Sequence, residues 1–222
     1  MDVKFPRHLT VFLFDLDGTL LDSTDVIQKA MQQAIKEVLG CDVSQDSLRG
    51  YAGHSLPDIM HEFDPDRASA LIERYRQAYL EMEASQLFPG IPKVLETLQE
   101  RDYDLAVVTT KARTSARRHL EDHGILSAFP VIITSDDVEA LKPDKEPVER
   151  ALSELGRAPS EAIMIGDSPN DILAGNRAKT LTGLARWGND GGPSDLQGAR
   201  PDYQWRDPLQ ILEHLPKGST TS

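Results

Sequence analysis

The chain has 222 residues, 39% hydrophobic and 27% charged, a balance that suits a globular fold and argues against a disordered or membrane-embedded chain. Its formal net charge is −12, with 24 basic against 36 acidic residues and no basic cluster to offset them, which excludes nucleic acid and anionic membranes as expected partners. No apolar run has membrane-spanning length, no signal-peptide pattern opens the chain, and the single cysteine, Cys41, has no internal partner, so a cytoplasmic protein is expected.

In chain order, Leu9 to Phe14 is a short apolar run rich in aromatic residues, predicted to be a strand buried on both faces. It runs directly into Asp15, Asp17, Gly18 and Thr19. Two aspartates this close repel each other unless a cation or a proton sits with them, although a bare Asp-x-Asp also reads as a helix cap or a turn. After Asp22 the apolar spacing becomes helical, with Ser23 or Thr24 as cap and Gly40 as terminator. Shorter helices are predicted at Ser44 to Arg49 and Ser55 to Phe63. Asp64-Pro65 then predicts the start of another helix, running to about Ala84.

Phe88-Pro-Gly-Ile-Pro92 marks the return to a different pattern. From there helices and strands alternate: helix Lys93 to Glu100, strand Leu105 to Thr109, helix Thr114 to His123, strand Val131 to Thr134 and helix Glu146 to Leu155. The strand Ala162 to Gly166, helix Pro169 to Ala178, strand Leu181 to Ala185, edge strand Tyr203 to Trp205 and helix Pro208 to Leu215 complete it. The tail from Pro216 is expected to fray. This alternation predicts an α/β fold with a parallel sheet between helical layers. The expected division is a Rossmann-like core, residues 1–20 and 89–222, with an all-helical cap, 21–88, inserted between.

In a parallel sheet the strand ends converge on one edge, where ligands bind. The first strand leads to Asp15, Asp17 and Thr19, the second to Thr109, Thr110 and Lys111, the third to Lys142-Pro143, and the fourth to Gly166-Asp-Ser-Pro-Asn-Asp171. That gathers Asp15, Asp17, Asp167 and Asp171 with a hydroxyl and a lysine. Four carboxylates need neutralising, and an all-oxygen donor set suits a hard divalent cation such as Mg²⁺. Lys142, Thr109 and the backbone amides after Asp15 beside such an ion describe a phosphate pocket.

Asp15-Leu-Asp-Gly-Thr19, Thr109, Lys142-Pro143 and Gly166-Asp-Ser-x-x-Asp171 together resemble the four motifs of the haloacid dehalogenase superfamily, in order and across nearly the whole chain. The helical insert resembles the cap of its phosphoglycolate phosphatase-like branch, and Ala185-Arg-Trp-Gly188 resembles that branch's later substrate-side loop. The resemblance implies a Mg²⁺-dependent phosphatase acting on a small phosphorylated metabolite. Asp15 is implied as nucleophile, Asp17 as general acid and then base, and Thr109 and Lys142 as the groups holding the phosphoryl. The metal would be held by Asp15, Asp167 and the Asp17 carbonyl, with Asp171 beside it orienting Lys142 or a metal-bound water. Gly18, Thr19, Thr110 and Lys111 are the expected phosphate- and substrate-side residues of the core. Arg49, which with His54 flanks Gly50 and Gly53, is the cap residue expected to meet the substrate.

Dehalogenases of this kind lack the second aspartate, so Asp17 argues against carbon–halogen chemistry. Alternatives that keep it are a phosphosugar mutase, against which Thr19 leans, an inorganic pyrophosphatase and a nucleotidase. A non-catalytic binding module would be expected to have lost one of Asp15, Asp17, Lys142 or Asp167. Oligomeric state is left open. His119 and His123, four apart on a helix, lack a third metal ligand and are expected to be solvated, as are Arg113, Arg117 and Arg118. Gly188 to Pro193 lacks the Lys-Ser/Thr ending of a P-loop and is expected to be a plain loop. Cys41, just after a helix end, is expected to be packing or happenstance, with no partner to suggest reactivity.

Overall fold

The four-residue run Val11–Phe14 has alternate side chains packed into two different cores, so it must lie in the middle of a sheet covered on both sides. In the computed structural model, which describes residues 4–51, 53–82, 85–188, 196 and 198–216, this run is β1. It pairs in parallel with β4 (Asp104–Val108) on one side and β6 (Ala162–Gly166) on the other. With β5 (Val131–Ile133), β7 (Leu181–Ala185) and β8 (Tyr203–Trp205) the order is β5-β4-β1-β6-β7-β8, and every pairing is parallel. The predicted α/β fold, a Rossmann-like sheet between helices, is what the chain adopts.

Phe12 and Phe14 face a core closed by α5 (Ile91–Glu100), α6 (Arg113–Asp122) and α9 (Gln210–Glu213). Val11 and Leu13 face the opposite core, closed by α7 (Glu146–Leu155) and α8 (Pro169–Ala178). No helix among the described residues is long and apolar enough to cross a membrane.

A third apolar cluster belongs to α1 (Thr24–Leu39), α2 (Gln45–Leu48), α3 (Leu56–Phe63) and α4 (Ala68–Glu81). Its floor is Ala30, Ala34 and Ile35 of α1 against Met60, Leu71 and Ala78, all fully buried. Small residues at this helical spacing let α1 and α4 approach closely.

Several elements differ from their predicted bounds. The segments joining this cluster to the sheet are strands, β2 (Leu21–Asp22) and β3 (Gln86–Leu87), paired antiparallel, so the insert is not purely helical. Two-residue strands carry no readable period, and only the meeting of the two crossings creates them. Helix α4 starts at Ala68, four residues after Asp64. Asp64 instead accepts hydrogen bonds from the Arg67 amide and guanidinium, each at 2.9 Å, and holds the turn before the helix. Ala84, most of the Gly188 to Pro193 loop and the tail beyond Pro216 lie outside the described residues.

Candidate active site

The carboxyl ends of β1, β4 and β6 and the loop before α7 meet at one edge of the sheet. Lys142 is their hub. Its Nζ donates to Asp15 Oδ1 at 2.7 Å, Asp171 Oδ1 at 2.6 Å and the Val108 carbonyl at 2.8 Å, which satisfies all three ammonium hydrogens. The side chain is buried, so this charge is stable only because two carboxylates share the burial with it. Asp171 is anchored from behind, since its Oδ2 accepts from the Ser168 amide at 3.1 Å and hydroxyl at 2.6 Å in the capping box of α8.

Asp15, Asp167 and Asp171 can each offer an oxygen within 4.8 Å of the others. Two glycines make room for that crowding. A Cβ on Gly18, which has φ +81°, would overlap the Asp167 carboxylate, and one on Gly166 would overlap that of Asp171. Burial pushes the Asp15 carboxyl up to about 7, with Asp171 adding to the push and Lys142 opposing it. Asp167 too is held well above the usual carboxylate value, by burial and then by Asp171 and Asp15. A buried oxygen cluster whose negative charge exceeds that of its one ammonium fits a hard divalent cation.

Asp17 stands apart from this trio. Both its oxygens accept from Lys111 Nζ, at 3.0 and 2.8 Å, and Oδ1 also accepts from the Ser23 hydroxyl at 2.7 Å. Burial raises this carboxyl, but Lys111 and Ser23 outweigh it and hold it below the usual carboxylate value. Ser23, expected as a helix cap, makes no side-chain cap bond and serves Asp17 instead. Nothing in the sequence marks that role, because it depends on how the turn from Asp17 to Leu21 brings Ser23 back beside Asp17.

The remaining expected residues divide. Thr109 is buried at the end of β4, and its hydroxyl accepts from the Lys111 amide at 3.2 Å. Thr110 and Lys111 line a cavity of about 690 Å³ between the sheet edge and the helical cluster. Gly18 and Thr19 build the loop rather than face that cavity: their amides bond to the Leu21 carbonyl at 2.8 Å and the Leu16 carbonyl at 3.4 Å. The Thr19 hydroxyl is buried without a partner among the described residues. Arg49 is exposed, pairs with Asp46 at 3.3 Å and is not among the cavity's lining residues, whereas His54 is.

His119 also lines the cavity, half-buried against the Tyr79 ring, with burial and then Lys111 pulling its pKa down to about 4. The expectation of a solvated histidine gives way here, because α4 folds over that face of α6. Trp187 donates to the Thr19 carbonyl at 2.9 Å, tying the loop after β7 to the aspartate loop. Asn170 donates to the Gly53 carbonyl at 3.2 Å, tying the loop between α2 and α3 to the start of α8.

A parallel sheet with this carboxylate–lysine cluster at its edge defines a class, and the family model of the haloacid dehalogenase-like hydrolases matches residues 12–184. The chain belongs to that family and is a hydrolase. Among its relatives, the pyrophosphatase PpaX of Listeria welshimeri is 36% identical over 207 residues, spanning 92% of this chain and 95% of that one. The pyrophosphatase PpaX of Bacillus pumilus is 34% identical over 206 residues, with 92% and 95% covered. Among solved structures, a haloacid dehalogenase-like hydrolase of Streptococcus pneumoniae superposes with TM-score 0.81 at 31% identity, covering 93% of this chain and 98% of that one. A predicted phosphoglycolate phosphatase of Haemophilus somnus superposes with TM-score 0.85, covering 94% and 99%, but at 23% identity it speaks for the fold alone.

Proposed function

We propose that the chain is a Mg²⁺-dependent phosphatase that hydrolyses a small phosphate ester or anhydride through an aspartyl-phosphate on Asp15. The observation that carries this reading is the separation of two carboxylates only two residues apart. Asp15 is bound to Lys142 beside Asp167 and Asp171, while Asp17 is held away from them by Lys111 and Ser23. That separation supports attack by one aspartate and proton transfer by the other.

Lys142 engages Asp15 Oδ1, and Oδ2 accepts no hydrogen bond among the described residues, so in this reading one oxygen of the Asp15 carboxylate faces the metal and the other attacks. It bonds to phosphorus as the bond from phosphorus to the leaving oxygen breaks, and Asp17, ionised against Lys111 before substrate arrives, takes up the proton of the substrate's phosphate monoanion and passes it to that oxygen. Asp17 then takes a proton from the water that attacks the aspartyl-phosphate, releasing inorganic phosphate and restoring the Asp15 carboxylate. Thr109 holds the transferring group with its hydroxyl, and Lys142, its hydrogens engaged by Asp15, Asp171 and the Val108 carbonyl, offsets the charge of that group. Mg²⁺, held by Asp15 and Asp167, would offset the charge of carboxylate and phosphate so that the two can approach. Asp171, with both oxygens already engaged, orients Lys142.

Residues 21–88 act in this reading as a cap, hinged at the β2–β3 ladder and closing over the leaving group to exclude water. Pyrophosphate and phosphoglycolate are the leading substrates. The 34–36% identical relatives favour the former, and the motif resemblance favours the latter. A cytoplasmic setting belongs to the same reading.

The test is phosphate release from p-nitrophenyl phosphate, pyrophosphate and phosphoglycolate, with Mg²⁺ and with chelator. Turnover that requires the metal and falls by at least about 10⁴-fold in Asp15→Asn is expected. Folded protein inactive on all three with Mg²⁺, or an Asp15→Asn variant of near-normal activity, would overturn the reading.

A further inference from the structure

The site contains two buried ammonium groups, and only one of them serves the phosphoryl side. Lys142 is saturated by Asp15, Asp171 and the Val108 carbonyl. Lys111 lies on the other side of Asp17, its side chain 12% exposed, its amide fixed on Thr109 at 3.2 Å and its carbonyl accepting from the Ser135 amide at 3.1 Å. Two of its three ammonium hydrogens have carboxylate acceptors on Asp17. What else its charge meets is the Tyr79 ring, with the centroid at 5.2 Å. A ring face is a weaker partner for an ammonium than a carboxylate or phosphate oxygen.

The cavity continues past this lysine. Much of its wall on the helical insert is apolar, with Ile27, Met31, Ile59 and Tyr75 beside His54 and Arg76, so an anion pushed against those apolar side chains would lose its hydration without compensation. An anion beside Asp17 would also be repelled by that carboxylate unless a cation stood between them. Lys111 stands there. Arg76 and Arg118 reach the same cavity but are exposed, and Arg118 already pairs with Asp122 at 3.5 Å.

Resting on the phosphatase reading, in which Asp17 protonates the leaving oxygen, we infer that Lys111 selects the substrate by binding a second negative charge on the leaving group, within a few bonds of the scissile oxygen. The ammonium bridges Asp17 and that anion, trading the Tyr79 ring for a charged acceptor. The chemistry is shared by a phosphate anhydride, whose second phosphoryl is the anion, and by an ester whose leaving group ends in a carboxylate. A neutral alcohol of the same size gains nothing from Lys111.

Wild type, Lys111→Met and Lys111→Arg would be compared by kcat/KM on pyrophosphate, phosphoglycolate and the isosteric but neutral phosphoglycolamide, with Mg²⁺. Wild type should favour at least one charged substrate over the amide by about 10²-fold, and which one identifies the source of the anion. Lys111→Met should lose about tenfold on the amide, because Asp17 loses its partner, and about 10³-fold on the favoured charged substrate, mostly in KM. Lys111→Arg should recover most of the preference. Equal losses on charged and neutral substrates, or a wild type indifferent to the second charge, would overturn the selection while leaving the phosphatase reading intact. A wild type that releases phosphate from none of them would overturn both.

Discussion

Lys142 directs its three hydrogens to Val108, Asp15 and Asp171, and Lys111 directs two of its own to Asp17, so two identical carboxylates on one loop acquire different surroundings. If Asp17 serves the leaving group, Asp17→Asn lowers turnover by about 10²–10⁴-fold, the usual range for a lost general acid and base. The loss should be larger for alkyl than for aryl phosphates, since a poor leaving group depends more on its proton. Steady-state rates on both series check this, and equal losses would remove the leaving-group role. Asp15, Asp17, Lys142 and Asp167 were legible from motif spacing alone, because strand ends of a parallel sheet must share an edge. Ser23 was not, because its bond to Asp17 spans a change of direction that no local pattern encodes. His119 has its own signature. Its native pKa of about 4 lies below the ordinary value near 6.5, so the native state takes up its proton later than the unfolded chain. Its contribution is fully present above about pH 6.5 and is lost as pH falls toward 4. Between those limits His119→Gln should lose less stability than wild type in urea titrations; parallel curves would contradict this.

At the scale of elements, the loop between α2 and α3 rests on the first turn of α8. Gly53 has φ +78°, and a Cβ there would overlap the Ser168 side chain, while its carbonyl accepts from Asn170. Gly53→Ala must therefore strain the backbone and lift this loop from the sheet edge. We expect kcat/KM to fall by about 10–10²-fold with little change in Tm, because displacement of about 1 Å beside reacting groups is costly while the helical cluster keeps its own apolar core. A normal rate in that variant would detach the loop from function. The β2–β3 ladder belongs to this scale too. Leu21 pairs with Leu87 and the Phe88 amide donates to the Leu20 carbonyl at 3.0 Å, so both crossings between the helical cluster and the sheet are held together a few residues from Asp17.

For the whole molecule, four apolar clusters among the described residues, the smallest of Ile172, Leu184 and Ala199, surround one charged edge, and the group of Asp15, Asp167 and Asp171 costs stability wherever its repulsion goes unrelieved. A divalent cation binding only the native state should raise stability by about 2.7 kcal/mol at a concentration 100 times its Kd. For a chain of this size that is a rise in Tm of about 5–10 °C. Melting curves with Mg²⁺ and with chelator read it directly. Asp167→Asn should abolish most of the shift while raising the metal-free Tm, since it removes one of the crowded charges. A shift that survives in the variant would place the ion elsewhere.

Sequence alone determined the parallel sheet, its strands almost to the residue at β6, β7 and β8, and the four motif positions. It could do so because buried parallel strands are continuous apolar runs and their ends carry the chemistry. It also determined that residues 24–63 would be mainly helical, since amphipathic spacing and caps are local. Tertiary structure alone decided the rest. It paired β2 with β3, moved Ser23 from cap to Asp17 partner, left Arg49 with Asp46 at the surface, and brought Tyr79 and His119 to the cavity. The β2–β3 pairing and the meeting of Tyr79 with His119 are set by packing between segments distant in sequence, while Ser23 and Arg49 find partners six and three residues away through a turn that no repeating pattern marks.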